Sequence, residues 1–334
     1  MDDAALSARF RVGAGADWRY RSGINAVRPE GVEPNNWNYV RASAADIAGA
    51  ATAHRDRESE MSVWSYEGKR VVIAGCFSGM GEATARELVS LGAEVHGFDI
   101  KPSPVPLASF SQVDLRDPAS IDLAVASIDG EIDALFNCAG LPQTFDAIDV
   151  MKVNFIGMRY WTERWLPRIR SGGAIATITS TAGMGMMSHA REINELIAIP
   201  DFAGAVAWAE AHRELVGDGY GFSKEVSSYW TMVMGMTTIQ RGVRINCVAP
   251  GPTQTPMMGD FEKVASASVI DVFLLPMGRR SKPEEQAYPL IFLNSDAASF
   301  INGHVLNVDG GNVGGVMTGR IDIAQEIEKV LTGA

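Results

Sequence analysis

From Lys69 onward the sequence alternates short β-branched runs with longer stretches of helical spacing, and that alternation leaves few architectures open. A strand, a covering helix and a further strand in the same direction can only repeat as a parallel sheet with helices on both faces. The candidate strands are Arg70–Ala74, Glu94–Asp99, Ser111–Asp114, Ala134–Asn137, Ala174–Thr179, Arg244–Val248 and Val305–Val308, and helices are expected after Gly81, Asp117, Asp146, Gly221 and Pro283.

The first of these strands, VVIAG, runs into Gly75-Cys76-Phe77-Ser78-Gly79-Met80-Gly81 and then into the helical stretch EATARELVSLG. Glycines there let the backbone turn sharply and approach a pyrophosphate, while free N–H groups and the positive end of the next helix face the phosphates. A glycine triplet alone can serve turn geometry only; its place between first strand and first helix makes it a dinucleotide loop. The expected fold is therefore α/β, a Rossmann-type doubly wound parallel sheet of about seven strands.

The second strand ends at Asp99, where an acid can accept hydrogen bonds from both ribose hydroxyls and repel a 2′-phosphate. Ser78 supplies no cation for such a phosphate, so NAD is favoured over NADP, although Lys101 stands close by. The competing reading of Asp99 is a simple turn cap. Ile100 follows it beside the same site.

Residues 1–66 show little periodicity and are read as an N-terminal arm, with Met61 open as an alternative start. Its aromatics Trp18, Tyr20, Trp37, Tyr39 and Trp64 are expected to pack against the body or a neighbouring subunit. The main domain is expected over 67–319, followed by a tail, 320–334, whose Arg320–Leu331 has helical spacing. A net charge of -11 without any Lys/Arg block argues against nucleic acid or an anionic membrane as partner. Cys76, Cys138 and Cys247 are far apart, lack zinc-site spacing and read as reduced thiols, so no metal is expected. No apolar leader core or membrane-length segment is seen, and the expected location is cytoplasmic.

The chemistry is expected at Tyr220-Gly-Phe-Ser-Lys224, which sets a phenol and an ammonium one turn apart on one helix face. A nearby cation favours the phenolate, so such a tyrosine could protonate a carbonyl oxygen or deprotonate a hydroxyl. Ser180, at the end of the strand AIATIT, lies where a parallel sheet presents its ligand-facing edge. Asn154 is polar among the apolar residues of VMKVNFIGMRYW and implies a hydrogen-bonding task.

Taken in order, these elements resemble the short-chain dehydrogenase/reductase family in its branch with a G-x-x-x-G-x-G loop. The resemblance spans about residues 67–316 and includes Asp114-Leu115, Asn137-Cys-Ala-Gly140, Arg244-Ile-Asn-Cys-Val-Ala-Pro-Gly251 and Asn307-Val-Asp-Gly-Gly311. It implies Tyr220 as acid/base, Lys224 as the group that lowers its pKa and holds the nicotinamide ribose, and Ser180 as the residue polarising the substrate oxygen. It further implies that Asn154 holds a relay water, and that Asp114 and Leu115 contact the adenine. Asn137, Ala139 and Gly140 would line the cofactor, while Pro250, Gly251, Thr253 and Thr255 would flank the carboxamide. Cys138 departs from the family pattern, where a second Asn is common.

Ser180 and Tyr220 are unusually far apart, so a helical insertion is placed at 184–218, before the catalytic helix. REINELIAIPDFAGAVAWAEAHREL reads as two amphipathic helices broken around Pro200. Together with FLLPMGRRSKPEE and INGHVLNVDGG, the insertion resembles the subgroup of bacterial 3α-hydroxysteroid dehydrogenase/carbonyl reductase and coniferyl alcohol dehydrogenase. That resemblance implies NAD(H) chemistry on bulky, largely apolar alcohols and carbonyls. Met184, Met186, Met187, Trp208 and Met257 are the candidate pocket residues, with ordinary core packing as the equal alternative for the insertion residues. His189 and His212 read as surface or capping residues, and Pro256 to Met277 as a second candidate lid. A homodimer or homotetramer is expected. Two other functions were open to such a chain: a cofactor-binding regulator without turnover, disfavoured by the presence of Tyr220 and Lys224, and an epimerase or dehydratase, disfavoured by the glycine spacing.

Overall fold

Every β-branched run becomes a strand: β1 (Arg70–Ala74), β2 (Glu94–Asp99), β3 (Ser109–Gln112), β4 (Ile132–Asn137), β5 (Ile169–Ile178), β6 (Arg244–Pro250) and β7 (Val305–Val308). The computed structural model describes residues 62–332. The expected arm, apart from its last five residues, lies outside them, as do Trp18, Tyr20, Trp37 and Tyr39. All seven strands pair in parallel in the order β3-β2-β1-β4-β5-β6-β7, so the direction of winding reverses between β1 and β4. This is a Rossmann-type α/β fold.

Two strands differ from expectation. The edge strand β3 starts and ends two residues early, because the N–H of Asp114 turns to the Ser120 hydroxyl instead of the ladder. β5 begins five residues early at Ile169, which pairs with Ile132 of β4; the polar Arg-Ser-Gly-Gly stretch after it forms an irregularity, and regular pairing resumes at Ala174. Apolar periodicity has nothing to detect in such a stretch.

The helices in chain order are α1 (Gly79–Ser90), α2 (Pro118–Ala126), α3 (Ala147–Met151) and α4 (Met158–Trp165), with Lys152–Gly157 forming a π-helical segment between the last two. The insertion supplies α5 (Ala190–Ile197), α6 (Phe202–Ala211) and α7 (Arg213–Val216). There follow α8 (Tyr220–Thr238), α9 (Met258–Val264), α10 (Ala267–Asp271), α11 (Pro283–Asn294), α12 (Asn312–Met317) and the tail helix α13 (Ile323–Thr332).

Alternation along β1 divides the core in two. Val72 and Ala74 face α2, α4 and α8, whereas Val71 and Ile73 face α1 and α11. On the first face the ring of Phe98 meets Trp161 edge-on at 5.0 Å, and Trp161 meets Trp165 at 5.7 Å. All three are fully buried. Trp161→Ala should therefore cost about 3–5 kcal/mol, the usual range for a large aromatic deleted from a packed core; a urea midpoint within error of wild type would contradict this. On the second face Arg244 carries its guanidinium from β6 to the C-terminal end of α11, donating to the carbonyls of Leu293 at 2.6 Å and Ser295 at 2.8 Å. A cation there satisfies carbonyls that the helix leaves unpaired.

Within the insertion, Pro200 separates α5 from α6, and the Asp201 carboxylate accepts the Gly204 N–H at 2.8 Å to cap the second helix. α6 packs on α3 and the π-helical segment, and α5 on α8. The insertion thus covers a helical face next to Tyr220. No helix of the described residues is long and apolar enough to cross a membrane.

Candidate active site

The glycine loop is set by close backbone approach. A Cβ on Gly81 would collide with the Gly75 carbonyl, and one on Gly75, at φ +89°, with the backbone of Ala139. A Cβ on Gly79, at φ +61°, would come within 3.2 Å of the Thr255 methyl. The loops after β1, β4 and β6 therefore converge at the sheet's winding reversal. Ser78 occupies the N-cap position of α1 without a side-chain cap, so the first N–H groups of this twelve-residue helix face outward. Met80 packs against the second core face.

Asp99 is half-buried at the tip of β2. Its Oδ2 accepts the Phe77 N–H at 2.9 Å and its Oδ1 the Lys101 N–H at 3.2 Å, which fixes the carboxylate toward the glycine loop. Phe77 and Ile100 are exposed beside it, and the Lys101 ammonium lies 5.1 Å from the Phe77 ring centre. The site thus has both a tight backbone cradle and an oriented acid, a combination that fits a dinucleotide.

Other predicted cofactor residues sit differently. The Asp114 carboxylate is bound by the Arg116 guanidinium at 2.7 Å, and this hydrogen bonding holds it below the usual carboxylate range. Leu115 is buried in the core. The Asn137 amide cross-links the sheet end, donating to Thr162 and Thr177 hydroxyls at 2.9 and 3.2 Å. Pro250 is buried at the end of β6, and Thr253 bonds the Gly251 carbonyl and the Ser281 hydroxyl, both at 2.9 Å.

The four chemical residues come from three elements: α8, the π-helical segment and the turn after β5. Tyr220 opens α8 after Gly219 at φ +84°, and its N–H is held by Asp218 at 2.9 Å. Lys224 lies one turn on, its ammonium 5.6 Å from the tyrosine ring centre and donating to the Ile178 carbonyl at 3.2 Å. Ser180 follows β5, its hydroxyl accepts the Ala182 N–H at 3.1 Å, and it lies near enough to the phenol to lower the phenol's pKa. Asn154 sits in the π-helical segment, a distortion common at functional sites. Its amide accepts the Leu141 N–H at 2.7 Å and donates to the Leu141 carbonyl and the Ser223 hydroxyl. Gly140 joins them: a Cβ there would lie 3.4 Å from the Asn154 oxygen and 3.8 Å from the lysine ammonium.

Burial dominates the electrostatics. It pulls Lys224 down to about 8, with Cys247 opposing. It pushes Tyr220 above the ordinary tyrosine value, with the Ser180 hydroxyl lowering it and Asp218 adding to the rise. The protein's own groups therefore keep the phenol protonated at neutral pH. The expected direct lowering of its pKa by Lys224 is not among the effects that set it here.

A family model described as short chain dehydrogenase matches residues 69–191, and one described as Enoyl-(Acyl carrier protein) reductase matches residues 205–312. The chain is 34% identical over 244 residues to Coniferyl-alcohol dehydrogenase of Pseudomonas sp. (strain HR199 / DSM 7063), covering 73% of this chain and 96% of that protein. This chain belongs to the short-chain dehydrogenase/reductase family. It is also 33% identical to 3-alpha-hydroxysteroid dehydrogenase/carbonyl reductase of Comamonas testosteroni, covering 72% of this chain and 95% of that protein. A crystal structure of the 3-alpha-hydroxysteroid dehydrogenase from Pseudomonas sp. B-0831 complexed with NADH superposes with a TM-score of 0.64 at 29% identity, covering 74% of this chain and 98% of that one. As a short-chain dehydrogenase/reductase the chain is an NAD(P)-dependent oxidoreductase acting on CH–OH groups.

The family resemblance does not reveal what surrounds this site. Met184 and Met187 are exposed, Met186 and Trp208 pack on the first core face, and Trp208 stacks on His212 at 4.0 Å and Phe222 at 6.0 Å. Met257 is half-buried at the start of α9. His189 is the residue before α5, and its Nδ1 lies 2.6 Å from the carboxylate of the buried Glu225, next to Lys224. Phe261 on α9 meets the Tyr220 ring edge-on at 4.9 Å. Neither the Glu225 pairing nor Phe261 has a local signal in this family's motifs, because each depends on how a separate segment docks. Among the described residues no group of three or more His, Cys, Asp or Glu could hold a metal ion.

Proposed function

We propose that this short-chain dehydrogenase/reductase interconverts a bulky, largely apolar alcohol and its ketone or aldehyde with NAD(H), Tyr220 serving as acid and base. The observation that carries this reading is the convergence of Tyr220, Lys224, Ser180 and Asn154 beside the glycine cradle. The bound nicotinamide would supply or accept the hydride. In reduction, the neutral Tyr220 phenol donates its proton to the carbonyl oxygen as the carbon gains hydride; in oxidation the phenolate takes the hydroxyl proton as hydride leaves. Ser180 holds the same oxygen by hydrogen bonding. Lys224, charged below about pH 8, would place positive charge beside the phenolate as it forms and hold the nicotinamide ribose. Asn154 would hold a water between Lys224 and solvent.

Ala139, Gly140, Pro250, Gly251, Thr253 and Thr255 would line the nicotinamide end, and Phe77, Ser78, Ile100, Asp114 and Leu115 the adenosine end. Exposed Met184 and Met187 and half-buried Met257 would form part of an adaptable apolar wall. The subgroup resemblance, the apolar insertion beside Tyr220 and the names of two similar proteins support steroid-like, aryl-propanoid or alicyclic substrates. An NADH-absorbance screen of those alcohol classes, with NADP+ in parallel, tests the reading; no turnover with any class would sink it.

Asp99 decides the cofactor. Its oriented carboxylate would accept both ribose hydroxyls and repel a 2′-phosphate, so NAD is the cofactor and NADP the weaker one. Asp99→Ser should lower kcat/KM with NAD+ by about ten- to a hundredfold, the scale of a lost charged hydrogen bond, and raise relative activity with NADP+. Unchanged selectivity would make Asp99 only a turn cap.

A further inference from the structure

α9 is a seven-residue helix that buries a single residue, Met258. Packing and helix propensity cannot fix so short an element, because a helix of this length is unstable alone. Yet it presents Phe261 to the edge of the Tyr220 ring at 4.9 Å and 75°. The next residue, Glu262, explains how. Its carboxylate receives the Arg280 guanidinium at 2.6 Å, and the same guanidinium donates to Asp271 of α10 at 2.9 Å. One cation therefore holds both lid helices.

Arg280 itself rises from a fixed base. Its neighbour Ser281 bonds Thr253 through the two hydroxyls at 2.9 Å, takes the Gln254 N–H on its carbonyl and gives its own N–H to Pro252. Thr253, in the middle of the segment Pro252–Gln254, is one of the residues proposed to flank the nicotinamide. The Arg280 side chain is only 20% exposed, so its ion pairs are partly shielded from solvent.

We infer that Phe261 is the aromatic wall of the substrate pocket, selecting large apolar alcohols, and that Arg280 is the positioning residue that holds it against Tyr220 through Glu262 and Asp271. The inference rests on Tyr220 being the proton-transfer group. A half-buried phenyl beside that phenol offers apolar area to a ring system attached to the carbinol carbon and almost nothing to a three-carbon alcohol. The position of α9 then depends on this Arg280 network more than on its own packing, since α9 buries only Met258, while α10 also packs on the tail helix α13.

The test uses the full chain with NAD+ and two probes, a 3α-hydroxysteroid and 2-propanol. Phe261→Ala should lower kcat/KM for the steroid by about ten- to a hundredfold, mainly through KM, and change that for 2-propanol by less than about threefold. Arg280→Gln should give about a fivefold loss for the steroid, the value of a modest ion network, and Arg280→Lys should recover part of it. The double variant should be no worse than Phe261→Ala alone. Losses that multiply, or that fall equally on both probes, would overturn the inference. A second measurement needs no substrate: Arg280→Gln should speed chymotryptic cleavage after Phe261 about fivefold, whereas Arg280→Lys should not. Cleavage at the wild-type rate would overturn it even if the substrate class were misjudged, and absence of turnover in wild type with normal lid protection would instead fault the proposed function.

Discussion

Tyr220→Phe is expected to lower kcat by about a thousandfold in both directions while NADH binding stays within about threefold, as befits loss of a positioned proton donor. The variant keeps the ring, and with it the edge contact to Phe261 at 4.9 Å, so the fold and lid should be retained. What disappears is the phenol whose pKa the Ser180 hydroxyl lowers at the sheet edge. The pH profile should also change. Because burial holds the phenol above its ordinary value, wild-type oxidation, which needs the phenolate, should rise with pH through the alkaline range, and reduction, which needs the neutral phenol, should fall. Tyr220→Phe should flatten both limbs; residual turnover with the wild-type profile would assign proton transfer to another group. The measurement is steady-state kcat across pH with the same alcohol and ketone pair.

Lys224→Met carries the second large expectation, and its two effects have opposite signs. Turnover should drop by about two to three orders of magnitude, since the cation that would stabilise the forming phenolate is gone. Stability should rise. Burial holds Lys224 at about 8 against an ordinary 10.5, a difference that corresponds to about 3 kcal/mol of penalty at neutral pH. A methionine of similar length avoids it, less the hydrogen bond to Ile178, leaving a gain of about 1–3 kcal/mol. The linkage sign agrees: between about pH 8 and 10.5 the unfolded chain binds this proton and the folded chain does not. For this group, then, wild-type stability increases as pH rises through that window, and Lys224→Met should lose that increase. Thermal melts of both proteins at pH 7 and pH 9 check it; a variant less stable than wild type at both would mean that Lys224 is a structural residue first.

How much of this was legible in the chain follows from where each signal resides. β1, β2 and β7 match their expected limits because their β-branched runs stop at turn residues that also stop the ladder. The early part of β5 was hidden because Arg170, Ser171, Gly172 and Gly173 are polar or lack a side chain and form the irregular stretch between the Ile169 and Ala174 pairings. The π-helical turn around Asn154 was hidden for a related reason: one extra residue in a turn leaves composition untouched, and only the polar Asn154 among apolar neighbours marked the place. Glycines were the most informative residues. Gly75 and Gly81 are required by backbone contacts that a side chain would forbid, so their spacing reports the loop directly.

The candidate site divides in the same way. Tyr220 and Lys224 share one helix, so their relation is fixed by helical geometry and readable from spacing. Asp114 and Asn137 have partners that no motif announces: the first is engaged by Arg116 and the second by two threonines of the sheet end. Phe261 and Arg280 could not be read because they meet only after α9 and α10 fold back over α8, and ion pairs across nine or eighteen residues of irregular chain leave no periodic trace. Trp208 had two readings, and its stacking between His212 and Phe222 favours packing over a bare pocket wall.

The most direct test is NADH formation from NAD+ and a bulky secondary alcohol, followed by absorbance for the wild-type chain and for Tyr220→Phe under identical alkaline conditions. One NADH should appear per ketone formed with wild type, at a rate about a thousand times that of the variant. Equal rates for the two proteins, or no NADH from any steroid-like, aryl-propanoid or alicyclic alcohol, would contradict a Tyr220-driven alcohol oxidoreductase.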